Sequence, residues 1–384
     1  MNEMKDMNEL TWVEISEKAL SANVSQFRKL IGNDKLLCPC VKANAYGHGL
    51  AETSKILLES GADWLSVNAI YEARILRESG ITAPILVLGY VPIESLKEAL
   101  ELDVRLTVYN PETIDRLSEE AKKLGKTAKV HIKAETGNNR QGVLADDLLA
   151  FAKHISEVGN IEIEGLSTHF ANIEDTTDHS YARTQIERFL LASQILKENG
   201  INVAIKHCAN SAATILFPET HFELVRVGIA SYGMWPSKET YVAYLQERNN
   251  GFDLIPALAW KAKIAQVKNI PAGEFIGYGC TFRTTHETKL AIIPVGYYDG
   301  YDRGISNSYV LIHGKRAFLR GRVCMNMIMV DVTDIPEACL EDTVTLMGND
   351  GDETITAEQF GAWAGSINYE VTTRVNDRIL RVVV

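Results

Sequence analysis

Cysteine is scarce, six in 384 residues, and only Cys38 and Cys40 stand close together, with no second pair and no histidines beside them. That scatter excludes a disulfide-stapled miniprotein, argues against a zinc centre, and fits reduced structural thiols in a cytoplasmic protein. Long apolar runs are missing as well. The strongest, such as Ile85-Leu86-Val87-Leu88, fall far short of the roughly 18 residues that a membrane-spanning helix needs, and the polar, acidic start from Met1 to Leu10 shows no signal peptide or anchor. Positive charge is in deficit: 39 Lys and Arg against 50 Asp and Glu leave a net charge of −11. A surface of that sign repels polyphosphate and anionic lipid, so nucleic acid is not an expected partner, and any anionic ligand must meet a local cluster of Arg, Lys and backbone N–H groups. Internal repeats and low-complexity tracts are absent too.

What remains is ordinary globular composition, 46% hydrophobic and 23% charged, in a chain long enough for two or three domains. From about Leu36 to Gly233, short β-branched runs alternate with amphipathic stretches, the pattern of repeated βα units. Strands are expected at Leu36 to Val41, Trp64 to Val67, Ile85 to Leu88, Arg105 to Val108, Lys129 to Ile132, Ile163 to Ser167, Val203 to His207 and Leu224 to Ile229. Eight parallel strands in about 200 residues imply a (β/α)8 barrel, with a doubly wound sheet as the alternative. Tyr181 to Asn199 reads as a barrel helix with Ile186, Phe189, Leu190 and Ile195 on its buried face and Gly200 as its stop. Near Asn249-Asn250-Gly251 the text becomes strand-rich: Ala257 to Val267, Lys289 to Val295, Tyr309 to His313, Ala317 to Leu319, Ile328 to Val332 and Val344 to Met347, with one helix at Ala357 to Ala364. This is a second, mostly antiparallel β domain. The division expected is a barrel over residues 11–245 and a β domain over 246–384 joined by residues 1–10, with the strand-like Leu10 to Ile15 able to pair into the latter.

In such a barrel the chemistry sits where the strands end. Lys42 closes an apolar strand and is followed by Ala43-Asn44-Ala45-Tyr46-Gly47-His48-Gly49. A lysine desolvated there is an amine nucleophile toward a carbonyl; the plainer alternative is a lysine snorkelling from a strand end. Later strands are followed by Thr136 to Arg140, by Thr168-His169-Phe170, by Cys208-Ala209-Asn210-Ser211, and by Arg226-Val227-Gly228-Ile229. Singly, His169 reads as a core histidine and Ser211 as a helix N-cap. Together the set describes a pocket for a phosphorylated cofactor, with Ser211 and the N–H groups near Gly228 and Ile229 as the phosphate cup, and a lysine beside that cup suggests pyridoxal phosphate.

The run Val41 to Gly49 resembles the pyridoxal-phosphate signature of alanine racemases, and the likeness extends over nearly the whole chain. It includes Thr168 to Phe170, His207 to Ser211, Arg226 to Ile229, Gly277-Tyr278-Gly279, Pro294 to Tyr297, Gly321 to Met325 and Ile367 to Glu370. The resemblance implies an isomerase with a TIM-type barrel, a small amino-acid substrate, and a homodimer whose active sites are shared between subunits. It makes Lys42 the Schiff-base lysine and one catalytic base, with Tyr278, reaching the partner's barrel, as the base on the opposite face of Cα. Inversion requires such a pair, since one group cannot serve both faces of a planar carbanion. By the same likeness Arg226 faces the pyridine nitrogen and leaves it unprotonated. His169 stacks on the ring, Tyr46, Asn210, Ser211, Gly228 and Ile229 hold the phosphate side, and Arg140 meets the phenolic oxygen. Lys133, seven residues before Arg140, matches a lysine often carbamylated in the family. Tyr297, Met325, Asn326 and Asp377, with Arg140, fall on the substrate pocket.

Three departures bear on substrate. Glu135-Thr136-Gly137-Asn138-Asn139-Arg140 stands where the family usually has Asp-Thr-Gly-Met-Gly-Arg, Met325-Asn326 replaces Met-Asp, and Asp377 replaces a tyrosine that walls the alanine pocket. A carboxylate in place of an aromatic ring opens volume and offers acceptors to a hydroxyl on Cβ, so serine joins alanine as a candidate substrate. The serine racemases of vancomycin-resistance systems, which carry a membrane segment, resemble this pattern. The plainer alternative is that Asp377 pairs with Arg374 or Arg378. The likeness also suggests D-amino acid supply for the cell wall. Two other readings share the cofactor: an amino-acid decarboxylase, whose glycine-rich phosphate loop is not found, and a single-barrel pyridoxal-phosphate carrier, which would lack the β domain and Tyr278.

Overall fold

The structure, a computed structural model, describes residues 9–175, 177–247 and 251–384. Residues 1–8 and the expected boundary at Asn249-Asn250 lie outside the described residues. Contacts divide the chain into two compact units: Lys18–Ala45 with Leu50–Pro256, and the chain up to Glu17 with Tyr46–Gly49 and Ala257–Val384.

The first unit is a parallel barrel. After β1 (Thr11–Ile15), its strands are β2 (Leu36–Pro39), β3 (Leu65–Val67), β4 (Ile85–Val87), β5 (Arg105–Val108), β6 (Ala128–Lys133), β7 (Ile161–Ser167), β8 (Ile205–His207) and β9 (Leu224–Val227). Neighbours from β3 to β8 pair in parallel, as do β2 and β9. Two seams close the ring: Val41 N–H donates to Ser66 O at 2.8 Å between β2 and β3, and Glu223 N–H to Lys206 O at 3.3 Å between β8 and β9. The central strands are buried on both faces, which is why they read as unbroken apolar runs. All eight fall where the sequence puts them. The last is shorter than expected because Gly228, at φ −95° and ψ −110°, turns the chain into a 3-10 turn over Ile229–Tyr232.

The long helix spans Ser180–Glu198, but its buried stripe is Ala182, Gln185, Phe189, Ala192 and Leu196, and Leu190 is exposed. The expected stripe is rotated. Gln185 turns inward because its amide accepts from Ala171 N–H at 2.9 Å and donates to Thr136 Oγ1 and His169 O at 3.3 Å.

The second unit is built on a mostly antiparallel sheet. Its strands are β10 (Leu258–Lys263), β11 (Gln266–Ile270), β12 (Phe275–Ile276), β13 (Phe282–Arg283), β14 (Thr288–Ile293), β15 (Tyr309–Ile312), β16 (Lys315–Leu319), β17 (Ile328–Asp331), β18 (Thr343–Asp350), β19 (Glu353–Ile355) and β20 (Leu380–Val383). The order is β11-β14-β17-β16-β15-β18-β10-β1-β20, with β19 on β18 and a separate β12-β13 hairpin. β1 lies antiparallel to β10 and parallel to β20, so the chain from Thr11 to Ile15 belongs with this sheet and not with the barrel. The single strand expected over Ala257 to Val267 is two. Ile264 N–H turns to Asp342 O and Ala265 N–H to Ile292 O, sending the chain from one part of the sheet to another. Trp260, Tyr301 and Phe360 fill the core, with the Tyr301 and Phe360 rings 5.1 Å apart. Besides the expected helix at Ala357–Ala364 there is a short one at Asn368–Arg374.

All six cysteines are free, and Cys38, Cys40 and Cys208 are buried. Among the described residues no helix is long and apolar enough to cross a membrane, and no cluster of ligands fits a metal ion. The barrel interior is packed to contact: a Cβ built at Gly165 would lie 2.1 Å from His131 Nδ1. Gly165→Ala is therefore expected to cost about 1–3 kcal/mol in urea-unfolding measurements, whereas wild-type stability would contradict that packing.

Candidate active site

Lys42 follows β2, half-buried at the carboxyl end of the barrel. The next four residues, Ala43, Asn44, Ala45 and Tyr46, have φ of 53°, 55°, 52° and 54°. A left-handed turn of non-glycine residues costs about 1–2 kcal/mol per residue, so neighbouring groups must hold it. The buried carboxylate of Glu72 does so at its start. One oxygen accepts from Ala43 N–H at 2.6 Å, the other from Asn68 and Ala69 N–H at 2.7 and 3.0 Å. Asn44 Oδ1 accepts from Leu50 N–H at 2.8 Å.

Lys133 ends β6 and is buried. Burial first, then the charges of Arg226 and Arg140, hold its ammonium well below the usual lysine range, which favours the neutral amine. In the following loop Asn138 Nδ2 donates to Phe170 O at 3.1 Å, and Tyr181 Oη donates to Gly137 O at 2.7 Å. A cavity of about 400 Å³ opens here, lined in part by Asn138, Arg140, His169, Phe170 and Asn210. Burial, followed by the charges of Lys133, Arg226, Arg140 and Lys42, pushes His169 well below the histidine range. Its imidazole is a neutral ring at the cavity wall, not a buried core group.

The helix N-cap after β8 is Asn210, whose Oδ1 accepts from Ala213 N–H at 3.0 Å. Ser211 is therefore left for another task. Its buried Oγ accepts from Gly228 N–H at 2.9 Å and Ala230 N–H at 3.4 Å, and the intervening Ile229 N–H has no partner among the described residues. A hydroxyl with the N–H groups of Gly228 and Ala230 turned toward it, and Ile229 N–H between them, makes an anion cup.

Arg226 ends the circuit. It is buried on β9, donating from Nη2 to Thr168 O at 2.9 Å and Cys208 O at 3.4 Å, and from Nη1 to His207 O at 3.1 Å and to His207 Nδ1. Burial lowers its pKa from the ordinary range, although a guanidinium remains a cation at neutral pH.

In the second unit, Tyr278 opens a 3-10 turn between β12 and β13, flanked by Gly277 and Gly279, each at φ 76°. Its side chain is 71% exposed. A Cβ at Gly277 would lie 2.7 Å from Met329 Cε and one at Gly279 3.2 Å from the Arg322 guanidinium, so only glycine allows this turn to lie on the loop after β16. That loop carries exposed Met325 and Asn326, and Tyr297 N–H reaches back to Cys324 O at 3.0 Å. Asn376 Nδ2 donates to Tyr298 O at 2.9 Å, placing Asp377 by the same segment. Arg374 pairs with Asp302 and Glu370, Arg378 reaches Tyr298 Oη at 3.2 Å, and the charge of Asp377 acts on Arg381. Tyr46 is buried with its ring 6.3 Å from that of Tyr369.

Two family matches decide the relationship: alanine racemase N-terminal domain over residues 15–236, and alanine racemase C-terminal domain over residues 257–383. The chain belongs to the alanine racemase family. The alanine racemase of Methanococcus maripaludis is 44% identical over 372 residues, covering 97% of this chain and 98% of that one. That of Leptospira interrogans is 40% identical, covering 97% and 96%. The crystal structure of the Bacillus anthracis alanine racemase with bound L-Ala-P matches at a TM-score of 0.92 and 38% identity, over 98% of this chain and 96% of that one.

Alanine racemases depend on pyridoxal phosphate, and the donor set at the barrel rim fits that group: an amine, a hydroxyl and N–H cup for an anion, a neutral imidazole and a buried guanidinium. The departures from the family pattern have local explanations. Asn139, at φ 53°, occupies a left-handed position where the family usually has glycine, and asparagine tolerates it. Asn138 ties the loop after β6 to the one after β7.

Sequence reasoning missed Glu72, although a glutamate three residues into a helix is a capping-box signal. It also missed Gln185, for which no sequence signal existed. Glu72→Gln removes the charged acceptor of three N–H groups. Amide exchange at Ala43, Asn68 and Ala69 is expected to quicken at least about tenfold, measured by hydrogen–deuterium exchange, while unchanged protection would refute the clamp.

Proposed function

We propose that this protein interconverts L- and D-alanine with pyridoxal phosphate as cofactor. The observation that carries the reading is that Arg140, His169 and Asn210 line one cavity at the carboxyl end of the barrel, with Ser211, next in sequence to Asn210, accepting from Gly228 and Ala230 N–H. When bound, the cofactor supplies an electron sink that makes the substrate Cα–H acidic. Lys42 anchors the substrate-binding position and moves the proton on one face of Cα. Ser211 and the N–H groups of Gly228, Ile229 and Ala230, with Tyr46 and Asn210, bind the phosphate. His169, neutral, packs as a flat wall without adding charge. Arg226 would face the pyridine nitrogen and, being unable to give up its proton, would leave that atom unprotonated. Arg140 meets the phenolic oxygen and the substrate carboxylate.

Tyr278 is the second base in this reading. The exposed phenol, with Phe275, Met325 and Met327 exposed in the same unit, supports a face covered by another subunit, and in this reading the β domain supplies this base to the partner's barrel in a homodimer. The six free cysteines support a reducing setting, the cytoplasm, and the family likeness suggests the cell wall as the use of the D-alanine. Asp377 is exposed beside Asn376, whose Nδ2 donates to Tyr298 O, and a carboxylate where the family usually has tyrosine offers an acceptor to a hydroxyl on Cβ, which favours serine as a second substrate. Tyr297, Met325 and Asn326 complete that pocket.

The first test is α-proton exchange in D2O with chiral analysis on L-alanine and L-serine; exchange with inversion is expected, and none on either substrate refutes the reading. Lys42→Ala and Tyr278→Phe should each be inactive, yet their mixture should regain about one quarter of wild-type activity, because half of the dimers are hybrids with one intact site. No recovery after subunit exchange would mean that sites are not shared. Asp377→Tyr should raise the preference for alanine over serine by about tenfold; an unchanged ratio removes Asp377 from the pocket.

Lys133 is the further modification site of this reading. A neutral amine adds CO2 to give a carbamate and one proton, and the new anion would sit between Arg140 and Arg226. With ¹³C-bicarbonate a single carbamate carbon resonance is expected, lost in Lys133→Ala.

A further inference from the structure

Behind Arg226 a chain of buried side chains crosses the barrel, and nothing in the reaction described above uses it. Arg226 Nη1 meets His207 Nδ1, His207 Nε2 lies 2.7 Å from His131 Nδ1, and His131 Nε2 lies 3.1 Å from Glu164 Oε2. Lys129 and Arg105 hold the Glu164 carboxylate at 3.0 and 3.2 Å. Arg105 also lies over the Trp64 ring, and the edge of His131 meets both Trp64 and His207. Lys133, Cys38, Cys40 and Cys208 are the other titratable groups around Arg226 and the two rings. Both histidines are fully buried, and Gly165 leaves His131 its room.

The direction of every bond follows from one fact: a guanidinium has donors and no acceptor. His207 Nδ1 must accept, so its proton is on Nε2 and is donated to His131 Nδ1. His131 then carries its own proton on Nε2 and donates it to Glu164. Burial holds both imidazoles below the histidine range, so both are neutral. Burial would raise Glu164, but the hydrogen bonds from His131 and Lys129 and the charge of Arg105 outweigh it and bring the carboxyl down to about 2.

We propose that His207, His131 and Glu164 form a one-directional relay that draws the positive charge of Arg226 toward Glu164, makes the guanidinium a weaker proton donor, and thereby keeps a pyridine nitrogen facing Arg226 unprotonated. The proposal rests on the cofactor reading above. Among the described residues no carboxylate pairs with Arg226. A carboxylate placed directly beside the ring would favour protonation of its nitrogen. Two neutral imidazoles instead pass on the polarisation of a distant anion, since hydrogen bonds in series strengthen one another in a low-dielectric interior. His207, His131 and Glu164 are positioning residues, acting through Arg226 without touching the reacting atoms.

The test has two parts. In the ¹⁵N-labelled wild-type protein, with or without cofactor, His131 and His207 are expected as neutral Nε2–H tautomers from pH about 6 to 9; an Nδ1–H tautomer or an imidazolium at either overturns the relay. Then pyridoxal phosphate labelled at its ring nitrogen is loaded into wild type, Glu164→Gln and His207→Asn. Asparagine keeps an acceptor for Arg226 but ends the chain there. Both variants should move the ring ¹⁵N resonance toward the protonated position, with kcat down about tenfold and KM within about twofold. A merely structural role would leave that resonance at its wild-type position and overturn the proposal. Should Glu164→Gln fail to fold, His207→Asn and the wild-type tautomers decide. A wild-type protein that exchanges no α-proton strikes at the proposed function and leaves the tautomer result standing.

Discussion

A guanidinium buried in a barrel core, with carbonyls and an imidazole where a carboxylate would be expected, sets the conditions for everything around it. Arg226 donates to carbonyl oxygens of Thr168, His207 and Cys208, and so ties the carboxyl ends of three adjacent strands to one side chain. Burying a charge without a counterion costs several kcal/mol unless every hydrogen is used. Its charge also reaches its neighbours, adding to burial in pushing Lys133 and His169 toward their neutral forms. A chain with a net charge of −11 thus builds one electropositive rim, and the local cluster, not the global field, is what an anionic cofactor meets.

The second constraint is backbone strain. Four consecutive left-handed residues after Lys42 would unwind in a free peptide. Glu72 stops that by spending a buried carboxylate on three N–H groups, and Gln185 does comparable work for the loops after β6 and β7. These second-layer groups touch nothing that reacts. They fix the loops from which Lys42, Arg140 and His169 project, and fixed geometry is what separates a racemase from a lysine that reacts with any aldehyde.

Strand positions were legible because a parallel barrel strand is buried on both faces and leaves an apolar run that no other element mimics at that length. Residues at the ends of those strands were legible for the same reason, once the barrel was assumed. What escaped were features whose determinants are far apart in sequence. Gln185 looks like a surface residue until the loops at Thr136 and His169 fold over it, and Leu190 looks buried until Gln185 rotates the helix. The histidines of the relay sit in strands at alternate positions that simply read as polar. Their meaning depends on β6, β7, β8 and β9 being neighbours, which is topology and not local pattern. Short strands such as β12 and β13 carried too few residues for any periodicity.

Inversion at carbon sets the last requirement, and it bears on why a barrel is joined to a second unit. A barrel rim presents its groups from one direction, so a planar carbanion above it meets barrel residues on one face only. The other face must be served by something that is not a strand end. Tyr278 has the properties such a group needs: it sits on a turn between two glycines at positive φ, and it is exposed. In the proposed mechanism the neutral imidazole of His169 and the unprotonated pyridine nitrogen share one purpose. Each withholds charge from a carbanion that must persist only long enough to be reprotonated, and an arginine whose donation is weakened by a distant glutamate is how the barrel arranges the second of these.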